Sequence, residues 1–267
     1  RLSVGMDEIP DYLGKAFVAI EDERFYQHNG IDFKSIIRAG YQFFKTGGEE
    51  AQGASTITQQ LLKNTVFTDW TSEGNNKIKK IKRKIQEQYL ALEITKYYSK
   101  DEILLRYMNA INLGQNTLGV ESASLRYFGK HCSELTISEC AVIASITQNP
   151  SKYNPIRHPE ENVKRREKCL NKMLELGFIS QTQYDEAMAD TDAVYERIGL
   201  YDIDYQEANA TTGSYFSDAV YEQVKQDLIL SGYNENMAET LLTSGGLRVE
   251  STLDPKIQAI LNEEYAD

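Results

Sequence analysis

The sequence has no long apolar run. The longest stretch, Cys140 to Ile146, has seven residues and includes Ser145, far short of the roughly 18 that a membrane-crossing helix needs. Cysteine is also scarce: Cys132, Cys140 and Cys169 form an odd set with no C-x-x-C pair, which leaves room for at most one disulfide and argues against a zinc site. Cys140 and Cys169 sit in apolar-periodic stretches and read as small core residues. The three histidines, His28, His131 and His158, are too scattered to suggest a metal cluster. There is no internal repeat and no low-complexity tract. The chain begins at Arg1 and stops at Asp267 within a helical pattern, so it is expected to be a piece of a longer protein whose targeting or anchoring segment lies outside it.

Basic charge is short overall, with a net charge of −11, but the deficit is local. Residues 181 to 267 carry 18 acidic and 4 basic side chains, leaving 22 acidic and 25 basic in residues 1 to 180. The mildly basic front part suits an anionic substrate or membrane surface. With 267 residues, 41% of them hydrophobic, the chain can bury one substantial core.

Most segments up to Gly177 read as helix. Pro10 opens one with Leu13, Phe17 and Ile20 on a face, running to near Gly30. A second follows from Asp32 towards Phe44, and the polar stretch Lys45 to Gly53 reads as a loop covering or connecting a site. Thr56 and Gln59 make a capping box for a helix from Ile57 to about Asn64. After the polar stretch Thr68 to Asn76, a long helix is expected from Lys77 to Lys96. Further helices are expected from Ser99 to Asn109, from Leu135 to Gln148, after the proline-rich loop Asn149 to Pro159 as far as Gly177, and after Ser180. Asp190 to Ser214 reads as linker. A helix around Tyr215 to Ser231, a strand at Leu247 to Thr252 and a helix from Asp254 read as the start of something larger, because a lone strand has no partner for its hydrogen bonds.

Three constellations carry chemistry. In Ala19 to Gly30, Glu21 borders the apolar stripe of its helix, where partial desolvation tunes a carboxylate towards general-base work; the same residues also describe a charged helix end with Arg24 paired to a neighbour. In Gly53 to Asn64, hydroxyls, helix N-terminal amides and Gln59 and Lys63 on one face suit phosphate or sugar, although a well-capped helix has the same features. In Lys77 to Glu87, a helical wheel puts Ile78, Ile81, Ile85, Tyr89 and Leu92 on a packing stripe, opposite Lys80, Arg83, Lys84 and Glu87. A cationic face suits a leaving pyrophosphate. A solvated helix face and a nucleic-acid patch are the alternatives, the latter weakened by the lack of an aromatic platform.

Taken in order, EDERFYQHNG, GASTITQQLLKN and RKIQE resemble the motifs of the glycosyltransferase family of class A penicillin-binding proteins and monofunctional peptidoglycan polymerases. YSKDEILLRYMN, GVESASLRYFGK and LTISECAVIASITQNPSKYNP continue the resemblance across residues 7 to about 177. GGLRVESTLDP from Gly245 resembles the entry to the transpeptidase region of the bifunctional members, while no S-x-x-K nucleophile motif is present.

The resemblance implies a mainly α, lysozyme-like glycosyltransferase fold over 1–177, a helix and linker over 178–214 and an incomplete α/β segment over 215–267. It implies that Glu21 is the general base and Glu87 the second carboxylate, near the pyrophosphate. No cofactor is required on this reading, and Glu87 is the ligand for any Mg or Mn ion. Ser55, Thr56, Gln59, Gln60, Lys63, Lys80, Arg83 and Lys84 would bind substrate, with Asp22, Phe25, His28 and Asn109 shaping the site. The implied partners are lipid II, the growing glycan chain, other cell-wall synthesis proteins and the outer face of the cell membrane, with no nucleic acid. A smaller lobe around residues 40 to 75 would face the bilayer through Phe43, Phe44, Val66, Phe67 and Trp70, residues that would serve equally as core. Two positions depart from the family pattern: Lys79 or Lys80 replaces an arginine, losing bidentate phosphate binding, and Arg106 replaces a glutamate.

Overall fold

The computed structural model describes residues 2–45, 53–67, 77–201 and 215–233, together with positions 235, 238, 239, 242 and 249. The chain forms two compact units, Leu2–Ile203 and one made largely of residues 204–267. The first holds ten α-helices among the described residues: α1 (Asp11–Glu21), α2 (Phe33–Lys45), α3 (Ile57–Thr65), α4 (Lys77–Ile94), α5 (Lys100–Ala110), α6 (Val120–Phe128), α7 (Ile137–Ser145), α8 (Pro159–Glu175), α9 (Gln181–Ala189) and α10 (Thr191–Glu196). In the second, α11 spans Tyr215–Leu230. The only β feature among the described residues is an isolated antiparallel bridge between Asn112 and Leu118. The mainly α expectation holds. The expected strand at 247–252 lies outside the described residues, apart from Val249, as does the helix from Asp254.

Local sequence explains most helix starts. Thr56, Ser99, Thr136 and Ser180 each accept the amide three residues on, and Gln59, Glu102, Glu139 and Gln183 reach back to the cap. Each reciprocal pair satisfies two amides the helix itself cannot. Gly177 follows α8 at φ +69°, the left-handed conformation that ends a helix without a Cβ penalty.

The core is built on α1 and α7. Leu13, Phe17 and Val18 of α1 are buried with Cys140 to Ser145 of α7, and α8 packs on both. α5 closes the other side of α1, where Gly14 permits the approach: a Cβ there would stand 3.3 Å from Leu104 Cδ2. All three cysteines are buried free thiols, and burial pushes the Cys140 and Cys169 pKa values up. Arg166 of α8 is fully buried, donating to Thr191 Oγ1 at 3.0 Å, to Ser138 Oγ at 2.8 Å and to the Ala187 carbonyl. It staples α8 to α7, α9 and α10.

Several elements differ from the sequence reading. α1 stops at Glu21 rather than near Gly30, because the chain turns through a 3₁₀ segment at Phe25–Gln27. α10 occupies part of the expected linker and packs on α7 and α9, so the first unit extends through Ile203. The stripe expected to pack on α4 is its outer face: Ile78, Ile81, Ile85 and Tyr89 are 79, 61, 62 and 63% exposed. Glu87 and Ala91 point inward instead, each at most 1% exposed. Gly30 makes that packing feasible; at φ +89°, a Cβ on it would fall 2.2 Å from the Ala91 carbonyl oxygen. Of the residues expected to face the bilayer, Val66 is exposed and Phe67 half-buried; Trp70 and the side chains of Phe43 and Phe44 lie outside the described residues, as do most of the 45–53 and 68–76 stretches.

Candidate active site

Glu21 ends α1 with a side chain only 9% exposed, and three groups from distant parts of the chain hold its carboxylate. Gln60 Nε2 of α3 donates to Oε2 at 2.8 Å. Arg165 of α8 donates to Oε1 at 2.7 Å, and Thr147, just after α7, donates to the same oxygen at 2.5 Å. Thr147 has a single hydroxyl proton, and the carboxylate is its closer acceptor, since the Ala144 carbonyl stands at 3.0 Å. Gln60 is oriented in turn by Tyr107, whose hydroxyl donates to Gln60 Oε1 at 3.2 Å. Burial raises the Tyr107 phenol well above its ordinary value, so it remains a donor at neutral pH.

Asp22 turns the other way, into the start of α3. Its Oδ2 accepts the Ile57 amide at 3.0 Å, and both its oxygens lie 3.0 Å from His28 Nε2. The Gly30 amide donates to His28 Nδ1 at 3.1 Å, which assigns the proton to Nε2 and makes His28 a donor to Asp22. Phe25 is buried beneath, with Lys100 Nζ 4.4 Å from its ring centroid. Arg24 makes the neighbour pairing foreseen for a charged helix end, reaching both oxygens of Asp32.

Glu87 lies on the inner face of α4. Arg83 binds its Oε1 and Lys84 Nζ its Oε2 at 3.1 Å. Lys84 also donates to Ser55 Oγ at 2.8 Å and lies 3.5 Å from Gln59 Oε1. α3 therefore stands between the two carboxylates, with Gln60 on Glu21 and Gln59 beside the Lys84–Glu87 pair. Thr56 is committed to capping α3 and to the Gly30 carbonyl at 2.7 Å. Thr58 Oγ1 and Gln59 Nε2 are buried without a hydrogen-bond partner. Lys63 is half-buried on α3, and Lys80 is exposed on α4.

One expected residue is engaged elsewhere. Asn109 donates to the Val4 carbonyl and accepts the Val4 amide, both at 3.0 Å, tying the start of the chain to α5. A cavity of about 350 Å³ opens beside the first half of α1, lined by Ile9, Gly14, Val18, Leu104 and Met108, and neither Glu21 nor Glu87 borders it. No group of three or more His, Cys, Asp or Glu among the described residues is arranged to hold a metal ion. Both oxygens of Glu87 are taken by cations, a setting that does not fit a divalent ion.

Sequence reasoning missed Arg165 and Thr147. Thr147 stands inside the segment LTISECAVIASITQNPSKYNP, but its partner is 126 residues away; Arg165 is 144 residues from Glu21 in a helix whose surface is densely charged. The one available signal is the Arg165-Arg166 pair, of which the second is buried.

The described part of Leu2–Ile203 is thus a mainly helical unit with two carboxylates on either side of a capped helix, one of them beside cations. Residues 1–174 match the transglycosylase family model, and the chain belongs to that family. It is 40% identical over 267 residues to penicillin-binding protein 1A of Clostridium perfringens, covering 97% of this chain and 38% of the relative. It is 38% identical to penicillin-binding protein 1F of Bacillus subtilis, covering 97% of this chain and 33% of that protein. The chain thus spans about a third of the length of the curated relatives it matches. The crystal structure of penicillin-binding protein 1A from Haemophilus influenzae aligns at a TM-score of 0.44 with 23% identity, over 89% of this chain and 22% of that one.

Proposed function

We propose that this chain is a peptidoglycan glycosyltransferase that extends β-1,4-linked glycan strands from lipid II, by inverting transfer, at the outer face of the bacterial cell membrane. The observation that carries the reading is the pairing of two differently held carboxylates across α3: Glu21 under Gln60, Thr147 and Arg165, and Glu87 between Arg83 and Lys84. Glu21 removes the proton from the acceptor's 4-hydroxyl as that oxygen bonds to the anomeric carbon of the donor. The bond from that carbon to the pyrophosphate breaks, and the leaving lipid pyrophosphate takes the electron pair. Developing phosphate charge needs fixed cations; Arg83 and Lys84 supply them, with Glu87 holding both in place. Ser55 and Gln59 lie within reach of Lys84 and complete the phosphate side.

The membrane is the second partner. No helix among the described residues is long and apolar enough to cross a bilayer. α4 instead presents Ile78, Ile81, Ile85 and Tyr89 outward, and α2 presents Phe33, Ile37 and Tyr41. Apolar helix faces of this kind dock in the headgroup layer, which would keep a lipid-linked donor in reach.

The deciding measurement is polymerisation of labelled lipid II by the wild-type chain and by Glu21→Gln. General-base removal is expected to reduce the rate by about 10²–10⁴ with the fold retained. Release of reducing sugar from finished peptidoglycan, without polymer, would identify a hydrolase; polymer from Glu21→Gln at the wild-type rate would remove Glu21 as the base.

A further inference from the structure

We infer that Arg165, with Thr147, is a positioning residue that determines which oxygen of Glu21 receives the acceptor's proton; this rests on the reading of Glu21 as the general base. A carboxylate offers about two acceptor sites on each oxygen. On Oε1 both are filled, by the Arg165 guanidinium and the Thr147 hydroxyl. On Oε2 one is filled, by Gln60, among the described residues. The remaining site on Oε2 is the one left for an incoming hydroxyl, and Oε2 is therefore the basic atom.

Arg165 can impose this because it is itself immobile. Its Nε donates to the Ser145 carbonyl at 3.1 Å and a terminal nitrogen to Gln148 Oε1 at 2.8 Å, while the other terminal nitrogen holds Glu21. The guanidinium carbon lies 5.0 Å from the Tyr153 ring centroid. All three nitrogens of one rigid plane are thus committed, and the plane carries the orientation of the end of α7 to the carboxylate. A lysine ammonium, a point donor on a flexible stem, cannot reproduce that.

Charge and direction are separable by experiment in the chain as given. In Arg165→Gln, which loses the rigid guanidinium plane, kcat is expected to fall by about 10²-fold with KM little changed. In Arg165→Lys, which keeps the charge but loses the plane, kcat should also fall, by about 10²-fold for an error in alignment near 1 Å, with KM little changed. Circular dichroism establishes that each variant is folded; should Arg165→Gln fail to fold, the Arg165→Lys comparison decides alone. Wild-type kcat in folded Arg165→Gln or in Arg165→Lys would overturn the inference while leaving Glu21 as the base. An inactive wild-type chain, or an active Glu21→Gln, would instead overturn the reading of Glu21 and Arg165's role with it.

Discussion

The Asp22 carboxylate accepts the backbone amide of Ile57 at 3.0 Å, so the residue after Glu21 is fastened to the first turn of α3. A buried negative charge at a helix N-terminus is favoured by the unpaired amides and the helix dipole, and His28 adds a second donor. The same helix carries Gln60, which reaches Glu21, and Gln59, which adjoins the Lys84–Glu87 pair. Asp22 thereby holds, through a backbone bond, the start of the helix whose side chains reach both carboxylates. Lys100 contributes to its setting: burial lowers the Lys100 pKa, and the charge of Asp22 acts against that shift.

Asp22→Ala is accordingly expected to lose about 2–3 kcal/mol of stability, the scale for hydrogen bonds to a charged group together with a donor left unpaired. Urea denaturation measures it. Polymerisation should fall as well, because α3 is released from Glu21. An unchanged urea midpoint would mean that the bond contributes nothing net.

A second carboxylate gives stability a pH dependence. Glu121 of α6 accepts His131 Nδ1 at 2.6 Å and the Cys132 amide at 2.9 Å. Burial pushes the Glu121 pKa up, but the Cys132 amide and His131 outweigh it, and the net shift is below the ordinary 4.5. The hydrogen bond to Glu121 raises His131 above its ordinary 6.5. For the raised histidine, the stabilisation is complete below 6.5 and disappears as pH climbs through the folded-state value. For the lowered carboxylate it is complete above 4.5 and disappears as pH drops through the folded-state value. The advantage of wild type over His131→Asn in thermal midpoint should therefore be largest between about pH 4.5 and 6.5. His131 is 70% exposed, so the pair is worth about 1 kcal/mol or less. A difference independent of pH would assign the effect to packing.

The parts of the fold that follow from short-range rules were legible in the sequence. The cap pairs Thr56–Gln59 and Ser180–Gln183 placed the starts of α3 and α9, and the border position of Glu21 on α1 anticipated its burial. Two kinds of feature were not. The apolar period of α4 points to its isoleucines as the packing face, whereas the helix turns Glu87 inward among charged partners, a choice that depends on Arg83, Lys84 and α3 together. Arg165 and Thr147 were invisible because their partner is more than a hundred residues away and neither lies in a periodic pattern that points to it.

That inverted helix gives the last prediction. A face with Ile78, Ile81, Ile85 and Tyr89 in water is unfavourable for an isolated chain, since each large aliphatic group gains about 1.5–3 kcal/mol on full burial. Exposed lysines, Lys79, Lys80 and Lys82, flank the stripe, the arrangement expected of a helix lying in an anionic headgroup layer. If the face meets lipid, Ile81→Asn with Ile85→Asn should weaken binding to vesicles containing anionic lipid by at least about tenfold, because even half-burial of two such side chains exceeds 1.4 kcal/mol. Sedimentation with vesicles at fixed salt measures this directly. Raising the salt should weaken the wild type, as the lysine contribution is screened, whereas the uncharged asparagine pair acts through lost apolar contact and should leave binding weaker than that of the wild type at every salt concentration. Equal binding of wild type and the double variant would mean that the α4 face is covered by something other than lipid.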